Sequence, residues 1–329
     1  MKAWIAALPG AFVTLVTGMV VALAQPTPAA AQAWPDRTVK MIVPFTAGGG
    51  TDIIARLVAQ KLTDRWGQTV VVENRTGANG NIGAQVVAKS PPDGYTILVS
   101  SSAVTINPSL NENVGYRQSE LTPVILLASS PFLLVANPKL VAANSFKEFI
   151  DYAKSKNGAL AWASTSEGNA EHLAGSLLQR MGGFTMRHIP YKGGADAVKD
   201  VLGGHVDVGV VSLPTSQAYI TAGQLKVLGN TDGRRAPQIP DVPTIGEALP
   251  GYELPTWYAV WLPAGTPPDI VDKVHDGIDA VLNMDDVKQR VVQIGFNPAG
   301  GPRAEFAEYT RRETEKYAQL IKTLGLKVQ

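Results

Sequence analysis

The sequence predicts an α/β protein of two lobes, each a mainly parallel sheet flanked by helices, with two crossing strands as a hinge. Three observations lead there. Short β-branched runs alternate with amphipathic helical patterns, an order that implies parallel sheets covered on both faces. The alternation stops and restarts once, and two extended apolar segments, 121–137 and 257–262, flank the restarted half. After an N-terminal export segment, about 300 residues remain, more than one core usually holds and comfortable for two lobes. The expected division is a signal peptide at 1–33, lobe one at 34–136 plus 257–329, and lobe two at 137–256.

The export segment is read from Lys2, an uncharged stretch to Ala24, and small residues that place cleavage after about Ala31 or Ala33. Formal net charge is +1, with cations and anions interspersed, which argues against a nucleic-acid face. Cysteine is absent, so disulfides, thiolate nucleophiles and cysteine metal sites are excluded.

In lobe one, Val39 to Phe45 reads as a strand, and Ile53, Ile54, Leu57, Val58, Leu62 and Trp66 then recur at helical spacing. Gln68 to Glu73 follows as a strand, Gly80 to Lys89 as a helix, and Tyr95 to Ser100 as a strand running into Ser101 and Ser102. Lobe two offers a helix at Ser145 to Ser155, a strand at Leu160 to Ser164 and a helix at Asn169 to Met181. Brief strands at Arg187 to Ile189, Val206 to Val211 and Leu225 to Leu228 alternate with helices from about Ala195 and Pro214. Helices at Pro268 to Leu282 and Ala304 to Thr323 close the chain.

Between the first strand and its helix stands Pro44-Phe-Thr-Ala-Gly-Gly-Gly-Thr-Asp52. Glycines there permit positive φ and close approach, and the first amides of a helix lack intrahelical acceptors, so the loop is suited to an anion. A P-loop would need Gly-Lys-Ser/Thr where Gly50-Thr51-Asp52 stands, and a dinucleotide fingerprint would need a third glycine where Ile53 stands. A small anion therefore fits better than a nucleotide. The run Ser164 to Asn169 repeats the arrangement in lobe two, so two anion loops are expected to face one cleft.

Enzyme readings have less support. His172, His188, His205 and His275 show no metal-ligand spacing, no Gly-x-Ser-x-Gly elbow occurs, and Asp52 and Asp207 have no evident acid partner. His172 is weighed as a ligand contact against a structural hydrogen bond to backbone. Phe45, Trp162, Tyr191, Trp257 and Tyr258 are weighed as cleft aromatics against core packing, with the core preferred. A secreted α/β enzyme acting on a carboxylated or phosphorylated small molecule is the alternative to a non-catalytic receptor. No cofactor motif is found.

Trp34-Pro-Asp-Arg37, the run Val43 to Asp52, Ala55-Arg56, Val72-Glu-Asn-Arg-Thr-Gly-Ala78, Asn81-Ile-Gly83 and Pro92-Asp-Gly-Tyr-Thr96 resemble the first lobe of the tripartite tricarboxylate transporter substrate-binding proteins, the Bug-type receptors. Gly168 to Leu173, Ile189-Pro-Tyr-Lys-Gly-Gly194, Leu202-Gly-Gly204, Val206-Asp207, Ala222-Gly223 and Pro240-Asp-Val-Pro-Thr244 are similar to its second-lobe signatures. The resemblance implies a monomeric periplasmic binding protein of the Venus-flytrap kind that closes on a di- or tricarboxylate or aromatic acid. It would deliver this ligand to the membrane permease subunits of a tripartite tricarboxylate-type transporter. It also implies that the Ser164 to Asn169 loop holds one carboxylate and that the Ala47 to Asp52 loop crosses the cleft, partly through water. Ser166 and Asn169 stand where family members often carry glycine and Ser or Thr. Val211 stands where an acid is frequent, which points away from an amino-acid ligand. The expected binding residues are Phe45, Ala47, Gly48, Gly49, Gly50, Asp52, Ser101 and Ser102 from lobe one. Lobe two is expected to contribute Ser164, Thr165, Ser166, Asn169, His172, Tyr191 and Ser212.

Overall fold

The structure, a computed structural model, describes Met1, residues 34–111 and residues 113–326. The expected signal peptide therefore lies, Met1 apart, outside the described residues. In chain order the first half runs β1 (Val39–Val43), α1 (Gly50–Trp66), β2 (Val70–Asn74), α2 (Asn81–Ala88), β3 (Thr96–Ser101), α3 (Ala103–Leu110), β4 (Leu121–Ser130) and β5 (Phe132–Ala136). Then come α4 (Phe146–Ser155), β6 (Ala161–Ser164), α5 (Ala170–Gly182), β7 (Arg187–Pro190), α6 (Gly194–Gly203), β8 (Val208–Ser212), α7 (Leu213–Thr221) and β9 (Lys226–Asn230). The chain ends with β10 (Thr256–Pro263), α8 (Pro268–Leu282), α9 (Asp285–Gln293), β11 (Asn297–Pro298) and α10 (Arg303–Leu324).

Two sheets result. The first has the order β11-β4-β10-β3-β1-β2 and the second β7-β6-β8-β5-β9. Each has a parallel three-strand core, β2-β1-β3 and β7-β6-β8, made by strand-helix-strand crossovers. Antiparallel strands widen each core: β10, β4 and β11 in the first sheet, β5 and β9 in the second. All eight residues of β10 are buried, as befits a strand paired on both edges and covered on both faces.

Local chemistry sets the element ends. Ser145 caps α4 by accepting from the Glu148 amide, and Glu148 accepts in turn from the Asn144 amide. Gly67 ends α1 in the left-handed region at φ 65°. The segment 121–137, expected as one extended run, is split by Pro131 into β4 and β5, because proline cannot donate to a ladder. β4 pairs in the first sheet and β5 in the second, so the chain changes sheet at Pro131, ahead of the expected boundary at 136. The return crossing occupies 231–255, between β9 and β10.

Trp162, Phe132, Leu173 and Leu178 pack in one core with Tyr317 and Ile321 of α10, while Phe306 of the same helix packs with Trp257 and Trp261. The last helix thus has one end in each sheet's core. Among the described residues no helix is long and apolar enough to cross a membrane.

Candidate functional site

The β1–α1 turn is held from within. Gly48 takes φ 79°, and its amide donates to Asp52 Oδ2 at 2.9 Å. Asp52, 3% exposed, also accepts from Arg56 Nε at 2.9 Å and from Asn74 Nδ2 at 2.9 Å. Burial pushes its carboxyl upward, but the hydrogen bonds from Arg56, Gly48 and Asn74 outweigh that and hold it below its ordinary value. Asp52 is therefore a brace for the turn. The Gly49 amide turns back to Thr46 O at 3.3 Å. Gly50 and Thr51 begin the helix, and among the described residues their amides meet no acceptor.

Of the three glycines only Gly48 needs positive φ. Gly49 is extended at φ −77°, so the left-handed geometry expected of the whole run does not apply to it. Gly50 is needed for proximity: a Cβ there would lie 2.5 Å from Tyr258 Oη and 3.1 Å from Ser212 Oγ.

Those close approaches outline an inner cavity of ≈ 30 Å³ between the sheets. From the first sheet's side it is lined by Phe45, Gly49, Gly50, Thr51, Ser101, Thr256 and Tyr258. From the second come Thr165, Glu171, Gly194, Ser212 and Thr215. Phe45 is also a wall of an outer cavity of ≈ 350 Å³, within the size range of small-ligand sites. Asn79, Asn81, Asn107 and Asn111 line it on one side, Ser166, Tyr191 and Lys192 on the other. Ala78 and Asn79, at φ 46° and 54°, hold left-handed backbone in its wall, a costly geometry for residues with side chains.

The expected site residues fall into three groups. Phe45, Gly49, Gly50, Ser101, Thr165 and Ser212 face the inner cavity, and Ser166 and Tyr191 face the outer one. The Tyr191 hydroxyl donates to Asp200 Oδ2 at 2.6 Å, and burial, before that carboxylate, pushes it up to about 12. Ala47, Gly48, Asp52, Ser102, Ser164, Asn169 and His172 line neither cavity. Ser102 is the fully buried N-cap residue of α3. Asn169 caps α5, accepting from the His172 amide at 2.9 Å while its own amide donates to the Thr165 hydroxyl.

Ser164 and His172 belong to an aromatic stack behind the cleft. His172 lies on His188 with ring centroids 4.2 Å apart and 6° between planes, and Trp162 covers His188 at 4.5 Å. His172 Nδ1 accepts from the Gly168 amide, and His188 Nε2 hydrogen-bonds Ser164 Oγ at 2.7 Å. Burial depresses His172 to about 4 and His188, with its neighbour's charge opposing too, to about 3. Both rings are neutral at pH 7, and His172 makes a hydrogen bond to backbone of the kind weighed from the sequence while lining neither cavity. Trp162 and Trp257 pack in cores.

Several features escaped the sequence reading. Thr215 and Thr256 carry no motif of their own, while Thr51 and Gly194 lie inside quoted motifs but were not among the expected binding residues. Glu171, in the first turn of α5, reads in sequence as a simple complement to the helix dipole. Opposite the β1–α1 turn stands the start of α6 more than the Ser164 to Asn169 loop: a Cβ at Gly193 would lie 1.7 Å from Thr46 Oγ1, and one at Gly48 would lie 3.8 Å from Ala195 Cβ.

Residues 54–326 match the family described as tripartite tricarboxylate transporter family receptor. BugT of Bordetella pertussis is 35% identical over 306 residues, 92% of this chain and 94% of that protein. A UPF0065 protein from the tcbD-tcbE intergenic region of Pseudomonas sp. strain P51 is 37% identical over 292 residues, 88% of this chain and 87% of that protein. Among solved structures, R. palustris Rpa4515 with adipate superposes with TM-score 0.87 at 35% identity, covering 89% of this chain and 99% of that one. MatC from Rhodopseudomonas palustris with bound malate gives 0.82 at 29%, covering 88% and 100%. With two sheets facing a shared cleft and a match over most of its length, the chain belongs to the tripartite tricarboxylate transporter receptor family, a family of two-lobed periplasmic solute-binding proteins.

Proposed function

We propose that this receptor binds a small carboxylate between its two sheets and delivers it, in the periplasm, to the membrane permease of a tripartite tricarboxylate-type transporter. One observation carries the reading. Amides at the start of α1 and hydroxyls of Ser101, Thr165, Ser212, Thr215 and Tyr258, drawn from both sheets, face one cavity. Donors of that number suit a carboxylate, which accepts only. Because they come from both sides, a ligand touching all of them favours the sheets drawn together. Adipate and malate in the two related structures support the ligand class. The ligand's head group would occupy the inner cavity, with its remainder passing Phe45 into the outer one.

The test is a thermal-shift and calorimetric screen of aliphatic dicarboxylates, tricarboxylates and aromatic acids, with recovery of the ligand afterwards. A binder at 100 times its Kd should add about 2.7 kcal/mol of stability and be recovered unchanged. Recovery of a chemically altered ligand would replace the receptor reading with the enzyme one.

A further inference from the structure

Every donor around the inner cavity suits an anion, yet one lining group is an acid. Glu171 occupies the first turn of α5 and faces Gly50, Thr51, Ser212 and Tyr258 across the cavity. Among the described residues no lysine, arginine or histidine forms an ion pair with it. Glu171 is half-buried, and a carboxylate withdrawn from bulk water is normally paired, so the missing cation is an observation in itself.

The surroundings keep this group an acceptor. The Asn169 amide donates to the Thr165 hydroxyl, and Thr165 in turn hydrogen-bonds the Glu171 carboxylate, as does the glutamate's own backbone amide. The start of α5 adds a favourable dipole. Titratable groups near it are the Tyr258 phenol of β10 and the Tyr317 phenol of α10, both pushed upward chiefly by burial and further by this glutamate's charge, and hence neutral. Its neighbour His172 is held neutral as well. The cavity-lining residues of α1, α6 and α7 are Gly50, Thr51, Gly194, Thr215 and the α7 cap Ser212, none of them charged. Burial nonetheless lifts the Glu171 carboxyl to about 7, so the protein's own groups satisfy it only in part.

We infer that Glu171 is the seat for a cationic group of the ligand, so that the preferred solute is a small carboxylate bearing an ammonium, recognised as an amino-acid head group. The inference rests on the receptor reading above and narrows its ligand class. The ammonium sits on Glu171, the carboxylate meets the Gly50 and Thr51 amides with the Ser101 hydroxyl, and the side chain extends past Phe45 toward Lys192. Val211, read from sequence as removing the site for an ammonium, lies inside β8, one residue before its end; the acid is supplied from α5 instead.

Proton exchange gives a readout that packing alone would not move. A cation settling on a half-protonated carboxyl lowers its pKa and releases a proton, whereas a second carboxylate beside it raises the pKa and takes one up. The experiment is calorimetry of the full receptor at pH 7, in two buffers of different ionisation enthalpy, with the matched pairs aspartate and succinate, glutamate and glutarate. The expected result is at least one amino acid bound roughly tenfold or more tighter than its partner, with protons released. In Glu171→Gln the affinity for that amino acid should fall by roughly 30-fold or more, as for a charge pair losing one member, and the preference should vanish. Should that variant misfold, the sign of proton exchange in the wild type still decides. Tighter binding of a plain dicarboxylate, proton uptake, or an unchanged preference in Glu171→Gln overturns the seat and leaves the carboxylate receptor standing. Binding by none of the four overturns the seat, and failure of the wider screen of tricarboxylates and aromatic acids as well overturns the receptor reading.

Discussion

Gly50 is held to glycine by space and Asp52 is held to aspartate by its donors, and the two make different predictions. In Gly50→Ala the new methyl meets the buried Tyr258 Oη at 2.5 Å, so overpacking should cost about 1–3 kcal/mol in chemical denaturation. Gly49→Ala, with an extended φ and its nearest neighbour at 3.3 Å, should cost less than Gly50→Ala in the same assay. Asp52→Ala leaves the Gly48 amide and one Asn74 N–H without their acceptor, while the half-exposed Arg56 turns to water, and a loss of about 1–3 kcal/mol is expected. Because the folded carboxyl lies below its ordinary value of 3.8, its contribution is full above that pH and fades as acid titrates the folded form. Wild type and Asp52→Asn should therefore differ at pH 7 and converge in acid below pH 3.8, as followed by urea midpoints. Composition and spacing marked the glycine run as a close-approach loop, but they could not say which glycine faces a phenol and which faces solvent. Glu171 was hidden for a similar reason, since a helix-start acid looks alike whether it faces water or a cavity.

Helix α5 and strands β6 and β7 meet in the Trp162–His188–His172 stack, where element and titration are coupled. Both histidines are depressed in the fold, so the unfolded chain binds more protons once the pH drops below 6.5, and stability falls as acid is added through that range toward about 4 and 3. Removing one such ring should lessen the slope by up to about 1.4 kcal/mol per pH unit. His188→Gln is accordingly expected to show a shallower decline between pH 6.5 and 4 than wild type in thermal melts. Asn169→Ala should cost about 1 kcal/mol for the lost cap. Elements with clear periodicity, such as α1, α4, α8 and α10, were legible because one face is apolar. α3, α9 and β11 were not: α3 carries Pro108 and follows a run of serines, α9 has only Val287 and Val291 buried, and β11 is two residues long. The division at Pro131 escaped because β4 and β5 are equally apolar and only pairing partners distinguish them.

At the scale of the molecule, the cleft depends on two glycine-rich surfaces meeting. Gly193 admits Thr46 of the opposite side, and its own backbone, at φ −172°, tolerates any side chain. Gly193→Val should therefore leave folding largely intact while holding the sides apart. Ligand affinity is expected to drop roughly tenfold or more, and the ligand-induced compaction seen by small-angle scattering should shrink with it. Two lobes and a cleft were legible from the restart of the strand-helix rhythm. Which loops oppose one another was not, because that depends on how the sheets are set across Pro131 and the 231–255 return.

The helix α10 adds a mechanical consequence. Its 22 residues form a rod about 33 Å long, with Phe306 embedded near one end and Tyr317 and Ile321 near the other. A rod anchored at both ends resists stretching far more than bending. Together with the crossings at Pro131 and 231–255, it therefore favours rotation and gentle flexure of one sheet against the other over their separation, as a spring does in a jaw.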